Sequence, residues 1–390
     1  MKLTRPVWAE INLDNLAHNI KEVKSLINKN TKISAVIKAD AYGHGALAVA
    51  QTLLDNGADS FAVATFNEAL QLRRKFKDIQ ILILGYTPKE LATDLIENEL
   101  TQTIYSYDEA KEISKIAKQM NKTLKIHIKI DSGMNRLGLL CKEDTIKEIL
   151  QISKLDNLFI EGIFTHFAIA DEKDKTYTKK QVEKFNYIVA SLDKKGLQIP
   201  IKHVSNSAAI IDLPQYNFDM VRAGIMIYGL YPSENVDKNK AKLKEVMSLK
   251  TKIAQVKTVE AGSKISYGLT YECKKETKIA TLPIGYADGF TRLLSNKTHV
   301  FVNNKKAKVL GTICMDQSII DVTDIDVKIG DEVIIFGNEE KDTISATSIA
   351  KLLGTINYEI VCMVNKRVPR VYLKNNSIVD YKDYVLMINE

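Results

Sequence analysis

Short apolar runs alternate with amphipathic stretches from residue 31 to about residue 224. Such alternation is typical of buried parallel strands joined by helices. In residues 108–120, for example, apolar side chains recur at helical spacing and leave lysines and acids on the opposite face. The pattern predicts eight strands, at residues 32–38, 60–65, 79–84, 102–106, 124–131, 158–165, 199–204 and 218–223.

Eight strand–helix units in roughly 200 residues predict a closed (β/α)8 barrel of the TIM type. A polar stretch at residues 231–244 follows and suits a linker. Beyond it the apolar runs resemble antiparallel strands, and helical periodicity is scarce until about residue 345. The clearest of these runs are residues 278–287, 307–316 and 331–337. We therefore expect an α/β barrel domain over residues 1–240 and a mostly antiparallel β-domain over residues 241–390.

Composition narrows the class of protein. Hydrophobic residues at 45% and charged residues at 26% are ordinary globular values. No apolar run approaches a membrane span, and the first residues carry charges where a signal peptide is apolar, so we expect a cytoplasmic protein with no membrane partner. The net charge of +7 comes from lysines scattered over helical faces, which argues against a nucleic-acid partner. Four widely spaced cysteines without a CxxC motif argue against a disulfide framework and a metal site.

Chemistry in a barrel of this type lies at the carboxyl ends of the strands. Lys38 ends the first predicted strand, and a lysine there is a candidate for Schiff-base formation with a carbonyl compound. The strand position alone explains equally well a lysine that reaches solvent or pairs with Asp131. Residues that follow the fifth to eighth strands include Asp131 and Arg136, His166, Ser205 to Ser207, and Arg222 to Ile225.

The turns after the seventh and eighth strands offer the hydroxyl of Ser207 and, at Gly224, a backbone that a ligand can approach closely. Loops at these two positions commonly bind phosphate in this fold. Two ordinary turns remain the simpler alternative. A lysine opposite a phosphate site is nevertheless the pair that pyridoxal 5′-phosphate requires, one group for its aldehyde and one for its phosphate.

Nine segments carry a resemblance to a known family. They are AVIKADAYGHG, DSGMNRLG, FTHFAIAD, SNSAA, VRAGIMIYGLYPS, ISYGLTY, LPIGYADGF, GTICMDQ and RVPRVY. Together they resemble alanine racemase, a bacterial enzyme family that interconverts L- and D-alanine with pyridoxal 5′-phosphate. The match runs in order from about residue 7 to residue 372. The resemblance implies an isomerase that acts on the small-molecule substrate alanine and supplies D-alanine for peptidoglycan. It also implies a homodimer with shared active sites.

The resemblance implies two opposed bases. Lys38 first holds the cofactor and, once the substrate amine takes its place, acts as one base, while Tyr267 is the base on the other face. His166 and Arg222 are implied to support Tyr267, and the arginine, unlike a carboxylate, leaves the pyridine nitrogen of the cofactor neutral. Without the resemblance, the pattern favours a packing tyrosine in a turn of the β-domain for Tyr267 and a hydrogen-bonded histidine at a strand end for His166 over catalytic roles. The implied cofactor-binding residues are Lys38, Tyr42, Ser207, Arg222, Gly224, Ile225 and Tyr358.

Arg136 and the backbone N–H of Met315 are implied to bind the substrate carboxylate. Lys129 stands where many family members carry a carbamate that orients this arginine. Tyr286 matches a tyrosine of the substrate entryway.

Two further residues, Asp171 and Arg292, lie farther out along the implied entryway. The chain departs from the family at Thr312, where close relatives commonly carry arginine.

Other classes of protein share parts of this pattern. A non-catalytic barrel that binds pyridoxal phosphate would lack the second domain, and a related decarboxylase would carry a glutamate in place of Arg222. An aldolase that uses Lys38 without a cofactor would leave the phosphate-binding residues without a role. A racemase of serine or of a broader range of amino acids remains open.

Overall fold

The computed structural model describes residues 4–337 and 344–386. The strands are β1 (Val7–Asn12), β2 (Lys32–Val36), β3 (Ser60–Val63), β4 (Gln80–Ile83), β5 (Thr101–Ile104), β6 (Leu124–Asp131), β7 (Leu139–Leu140), β8 (Leu158–Phe164), β9 (Ile201–His203), β10 (Met220–Ala223), β11 (Met247–Lys252), β12 (Gln255–Val259), β13 (Lys264–Ile265), β14 (Tyr271–Glu272), β15 (Thr277–Leu282), β16 (His299–Val302), β17 (Lys305–Lys308), β18 (Ser318–Asp321), β19 (Glu332–Phe336), β20 (Arg370–Lys374) and β21 (Ser377–Lys382). The helical segments are α1 (Leu13–Ser25), α2 (Lys38–Tyr42), α3 (Ala46–Asp55), α4 (Phe66–Lys75), α5 (Ala92–Glu97), α6 (Tyr107–Gln119), α7 (Glu143–Ile152), α8 (Thr176–Lys194), α9 (Ser207–Asp212), α10 (Ala346–Leu353) and α11 (Asn357–Met363).

Eight parallel strands form the barrel, with helices between them. They pair in the order β10-β2-β3-β4-β5-β6-β8-β9. The two end strands are joined by backbone hydrogen bonds, from the Asp219 N–H to the Lys202 oxygen at 3.1 Å and from the Arg222 N–H to the Ser205 oxygen at 3.0 Å. The predicted barrel is confirmed, and all eight predicted strands are present with ends that differ by at most two residues. The short strand β7, which pairs with β6, was not predicted.

The helices cover the barrel because their apolar stripes face inward. In α6, Ala110, Ile113 and Ala117 are buried, as the periodicity predicts. The helix begins at a serine cap, since the Ser106 side chain accepts the backbone N–H of Glu109. Within residues 4–337 and 344–386, every helix is too short or too polar to cross a membrane.

The second domain is mostly antiparallel, as predicted. Its main sheet has the order β17-β16-β19-β11-β1-β20-β21, and β12-β15-β18 and β13-β14 form smaller sheets. The apolar run 307–316 is only partly a strand. Beyond β17 the chain turns, because the Cys314 N–H bonds the Gln317 oxygen at 2.9 Å.

The first strand, β1, lies outside the barrel although the expected division at residue 240 placed it in the barrel domain. It pairs antiparallel with β11, Val7 opposite Thr251, and parallel with β20, Ala9 opposite Arg370. Because Val7, Ala9 and Ile11 are fully buried, the strand suits a central position in a sheet. Its partners lie more than 200 residues away, so local sequence could not reveal the pairing.

The linker at residues 231–244 has no regular α-helix or strand and lies along α1. The buried Asn19 side chain accepts the Lys244 N–H at 2.8 Å and donates to the Lys244 oxygen at 2.8 Å. Glu22 accepts the Lys242 N–H at 2.8 Å. These contacts attach the start of the second domain to the barrel.

Candidate active site

Lys38 begins a left-handed turn at the carboxyl end of β2. Residues Ala39, Asp40, Ala41 and Tyr42 have φ angles of 51°, 53°, 56° and 54°. Each L-residue in this region costs about 1–2 kcal/mol, so four in succession need strong support. Strain of this kind is found where a fold must hold a functional group in one orientation.

Hydrogen bonds from three parts of the chain support the turn. The Asp40 carboxylate accepts the Ala46 N–H at 2.8 Å and the hydroxyl of Tyr384. Glu68 accepts the Ala39 N–H at 2.6 Å, and Arg370 donates to the Gly43 oxygen at 2.9 Å. The last residues of the second domain therefore fix the position of Lys38.

Lys38 is half-buried beside other cations. Burial lowers the pKa of its ammonium below the ordinary value, and the positive charge of Arg136 lowers the pKa further. The alternative pairing with Asp131 is not observed. The Asp131 carboxylate instead accepts the backbone N–H groups of Gly133, Asn135 and Arg136, at 2.9, 3.0 and 3.1 Å, and so orders the loop that carries Arg136.

Hydroxyl groups and backbone amides form a small cradle next to this turn. The Ser207 oxygen accepts the N–H groups of Gly224 at 3.1 Å and Met226 at 3.3 Å. A Cβ atom on Gly224 would lie 3.2 Å from the Tyr42 hydroxyl and 3.7 Å from the Ser207 hydroxyl. The rings of Tyr42 and Tyr358 lie 6.1 Å apart, and burial raises the pKa of both phenols, which therefore stay protonated donors. Ile225 follows Gly224 and begins a short 3-10 helix.

Arg222 lies on β10 inside the barrel and is 3% exposed. One terminal nitrogen, Nη1, donates to His203 Nδ1 at 2.7 Å and to the His203 oxygen at 3.1 Å. The other, Nη2, donates to the oxygens of Thr165 and Val204, at 2.8 and 3.1 Å, and approaches His166 Nδ1 at 3.3 Å. None of these five contacts uses Nε. Burial lowers the pKa of the guanidinium to about 9, so it stays charged at neutral pH.

Lys129 is a buried lysine among cations. Its ammonium lies 4.4 Å from the centre of the Phe164 ring. Burial and the charges of Arg222 and Arg136 hold its pKa well below the ordinary value, while Asp131 opposes this shift. The neutral amine is therefore favoured.

The charges around Lys129 also act on His166. Its pKa is lowered by burial and by the positive charges of Arg222, Lys129, Arg136 and Lys38. A neutral imidazole at this position can accept a hydrogen bond from the arginine.

The predicted residues of the second domain form a separate group. Tyr267, Tyr286, Arg292 and Met315 line a pocket of about 760 Å³. Tyr267 and Met315 are 72% and 52% exposed. The pocket contains neither Lys38 nor a residue of the cradle, so within one chain the predicted site residues form two separate groups, which we call the lysine half-site and the pocket half-site. Asp171 lies on the barrel side, where its backbone oxygen accepts the hydroxyl of Ser233.

Thr312 is buried beneath the turn that presents Tyr267. Its hydroxyl lies 3.3 Å from that of Thr270, and its backbone oxygen accepts the Ser266 hydroxyl at 2.5 Å. At this position, where the resemblance implies an arginine, the chain therefore has an uncharged side chain in a buried location beside the turn of Tyr267.

Several supporting residues were missed from the sequence. Arg370 lies within the quoted segment RVPRVY but received no role, and Tyr384 lies beyond every segment. His203 was part of the seventh predicted strand. The signal that could have identified it is a polar residue near the carboxyl end of a short apolar strand.

An eight-stranded barrel with a half-buried lysine and a hydroxyl cradle at the carboxyl ends of its strands, joined to a mostly antiparallel β-domain, defines a class of barrel enzymes whose chemistry lies at those strand ends. Comparison of the chain with known protein families identifies one family within this class. Sequence models described as "Alanine racemase, N-terminal domain" and "Alanine racemase, C-terminal domain" match residues 11–232 and 246–372. The chain belongs to the alanine racemase family.

Individual relatives agree over almost the full length. The chain is 49% identical over 382 residues to alanine racemase 1 of Clostridium acetobutylicum, covering 98% of this chain and 99% of that protein. The structure of alanine racemase from Clostridium difficile 630 is similar with a TM-score of 0.94 at 49% identity, covering 99% and 100% of the two chains. That of Bacillus anthracis alanine racemase with bound L-Ala-P has a TM-score of 0.93 at 37% identity, covering 100% of both.

Proposed function

We propose that this protein interconverts L- and D-alanine with pyridoxal 5′-phosphate. The observation that carries the proposal is Lys38, held by a strained left-handed turn next to the cradle of Tyr42, Ser207 and Gly224. Membership of the alanine racemase family supports the same reaction. A role in D-alanine supply for peptidoglycan and a cytoplasmic location remain predictions from the sequence.

The cradle fits a phosphate group. The space that a Cβ atom on Gly224 would fill lies between two hydroxyls, so backbone amides and hydroxyls can reach the phosphate oxygens together. Tyr42, Ser207, Gly224, Ile225 and Tyr358 would hold this phosphate. Pyridoxal phosphate, when bound, supplies an aldehyde for an amine and an electron-withdrawing ring that makes the Cα proton acidic.

Lys38 serves as the base on one face of the substrate. Its lowered pKa increases the fraction of neutral amine, and only the neutral amine can accept a proton from Cα. The rigid turn limits the directions in which its Nζ can point.

Tyr267 serves as the base on the opposite face, and we propose that it comes from the partner of a homodimer. With 72% of it exposed in one chain, the phenol lies open to solvent, whereas the buried cation Arg222 lies at the barrel mouth. A two-fold dimer brings the second-domain pocket of one protomer over the barrel mouth of the other. Arg222, which stays charged at neutral pH, then supplies positive charge near the phenol, and the neutral His166 lies beside it. In this arrangement Tyr286, Asp171 and Arg292 line the entryway.

Arg222 orients the ring of the cofactor. Its two terminal nitrogens bond to protein groups, which leaves the Nε–H to donate to the pyridine nitrogen. A donor at that atom keeps it unprotonated, so the ring withdraws electrons less strongly than one opposed by a carboxylate.

Arg136, with the backbone N–H of Met315 from the partner, binds the substrate carboxylate. We propose that Lys129 carries a carbamate: its neutral amine adds to carbon dioxide with release of one proton. The resulting anion is attracted by Arg136 and Arg222, the same two charges that disfavour a lysine cation at this position. We also propose two domains, a barrel domain over residues 1–240 and a β-domain over residues 241–390. Strand β1 falls within the first range but pairs in the sheet of the second domain.

The experiment that tests the function measures racemisation and the visible absorbance of the bound cofactor together. Wild type is expected to convert either alanine enantiomer to a racemic mixture and to show the absorbance. Lys38→Ala is expected to lose both, because it removes the amine that holds the cofactor and serves as base. A borohydride-reducible band that persists in Lys38→Ala would reject the assignment. Parallel assays with serine test a broader substrate range.

A further inference from the structure

A chain of hydrogen-bonded side chains runs through the barrel interior away from the active site. Arg222 Nη1 contacts His203 Nδ1 at 2.7 Å. His203 Nε2 contacts His127 Nδ1 at 2.9 Å, and His127 Nε2 contacts a carboxylate oxygen of Glu161 at 3.3 Å. Both histidines are fully buried.

The chemistry of the ends fixes the direction of this chain. A guanidinium only donates, so His203 Nδ1 must accept, and the proton of a neutral His203 then lies on Nε2. That N–H donates to His127 Nδ1, and the proton of a neutral His127 also lies on Nε2. An ionised carboxylate only accepts, so Glu161 completes the chain. Every contact from Arg222 to Glu161 therefore has one donor and one acceptor.

Glu161 receives donors from the opposite end of the barrel as well. It lies in the middle of β8, and its donors Gln80 and Lys125 lie at the starts of β4 and β6, whereas Arg222 lies towards the carboxyl end of β10. Gln80 donates to the same oxygen as His127, and Lys125 lies 2.9 Å from the other oxygen. Three donors around one carboxylate favour the anion.

We propose that Glu161 is a positioning residue that holds His127 and His203 in their Nε2–H tautomers and thereby keeps Arg222 oriented towards the cofactor. The proposal rests on the role assigned above to Arg222. Without the acceptor at residue 161, His127 can place its proton on Nδ1. His203 must then carry its proton on Nδ1 as well, and this N–H faces the arginine donor.

The surroundings restrict the rings to these contacts. The His203 ring stacks on Phe164 with centres 4.6 Å apart and an angle of 8°. A Cβ atom on Gly162 would lie 2.5 Å from the His127 ring, so only glycine leaves room for it beside Glu161. Burial holds the pKa of both histidines below the ordinary value, which favours the neutral rings that the chain requires.

The test compares three variants of the cofactor-loaded enzyme. Glu161→Met keeps the length of the side chain and removes the acceptor. Glu161→Gln keeps an oxygen that can accept from His127 and Gln80. The opposite orientation of the new amide is disfavoured, because it would place the NH2 group against these two donors. Glu109→Met is the matched control, since Glu109 is a partly buried carboxylate on α6, away from this chain. Nitrogen-15 spectra of labelled histidine report the tautomers of the six histidines, with His127 assigned through His127→Asn.

Both rings are expected to be Nε2–H tautomers in wild type, Glu161→Gln and Glu109→Met. In Glu161→Met the Nδ1–H form is expected to appear in both rings, with kcat reduced about tenfold, as for other partners that orient functional histidines. The cofactor absorbance is expected to shift in this variant alone.

Two results would overturn the proposal. One is unchanged tautomers in Glu161→Met, whatever its activity, since a loss would then reflect stability. The other is changed tautomers with normal activity and absorbance, which would mean that the chain does not affect Arg222. The tautomer measurement does not depend on racemisation, so a failure of the proposed function is recognised separately, by the absence of racemisation in wild type.

Discussion

Mixed dimers test whether the two half-sites combine between chains. Lys38→Ala disables the lysine half-site, and Tyr267→Ala disables the pocket half-site that a single chain leaves 72% exposed. When the two inactive proteins are refolded together in equal amounts, about half of the dimers are heterodimers by random association.

The expected recovery follows from the geometry. In a heterodimer with shared sites, one site carries both defects, and the other combines an intact lysine with an intact tyrosine. About a quarter of all sites should therefore be active, as two-fold symmetry requires. The assay is racemisation per mole of protein, with heterodimers counted by mass spectrometry.

A matched mixture calibrates the measurement. Tyr187 is an exposed tyrosine on α8, outside both half-sites. Refolding Lys38→Ala with Tyr187→Ala should give activity in about half of the sites, because half of the lysines are intact and every Tyr267 is present. If Tyr267 served its own barrel, the Lys38→Ala and Tyr267→Ala mixture would stay inactive despite confirmed heterodimers, and the shared-site reasoning would be refuted.

Three further predictions concern the barrel mouth. Gly224→Ala should weaken cofactor binding by roughly 10–200-fold, the usual effect of one added or missing methyl-sized group, because the Cβ atom fills the cradle; equilibrium dialysis measures it, and unchanged affinity would contradict the phosphate assignment. Arg222→Glu should slow racemisation and increase transamination, since an acid then faces the pyridine nitrogen; equal partitioning in both enzymes would count against that role. Lys129→Met should stabilise the cofactor-free protein by about 1–4 kcal/mol at neutral pH in carbon-dioxide-free buffer. Because the folded pKa of Lys129 is depressed, the unfolded state binds more protons and wild-type stability rises with pH towards the ordinary lysine value, a slope that urea titrations should find reduced in the variant.

The barrel was predictable because its strands are buried on both faces and form short apolar runs between amphipathic helices. The polar interior of the barrel is also visible in the sequence, because polar and apolar residues alternate along β6. The polar residues are Lys125, His127, Lys129 and Asp131. That alternation indicates a polar face within a buried strand. It does not identify the partners, which lie on β8, β9 and β10, so Glu161 and His203 received no role.

The left-handed turn was not predictable from local sequence. Four successive non-glycine residues with positive φ contradict the local preference of alanine, aspartate and tyrosine, and the contacts that compensate involve Arg370 and Tyr384. The position of β1 depends in the same way on β11 and β20. Both features are decided by contacts between segments more than 200 residues apart in the sequence.

The contacts of Arg370 and Tyr384 with the turn after Lys38 determine when the site can form during synthesis. The turn that begins at Lys38 leaves the ribosome well before Arg370, Tyr372 and Tyr384, which bond to Gly43, His44 and Asp40 and follow them by 327 to 344 residues. An unfinished chain can build much of the barrel but lacks the contacts that compensate for the strained turn. The lysine therefore reaches its working geometry only after the second domain has been synthesised, and a barrel produced without that domain would leave Lys38 on an unsupported loop.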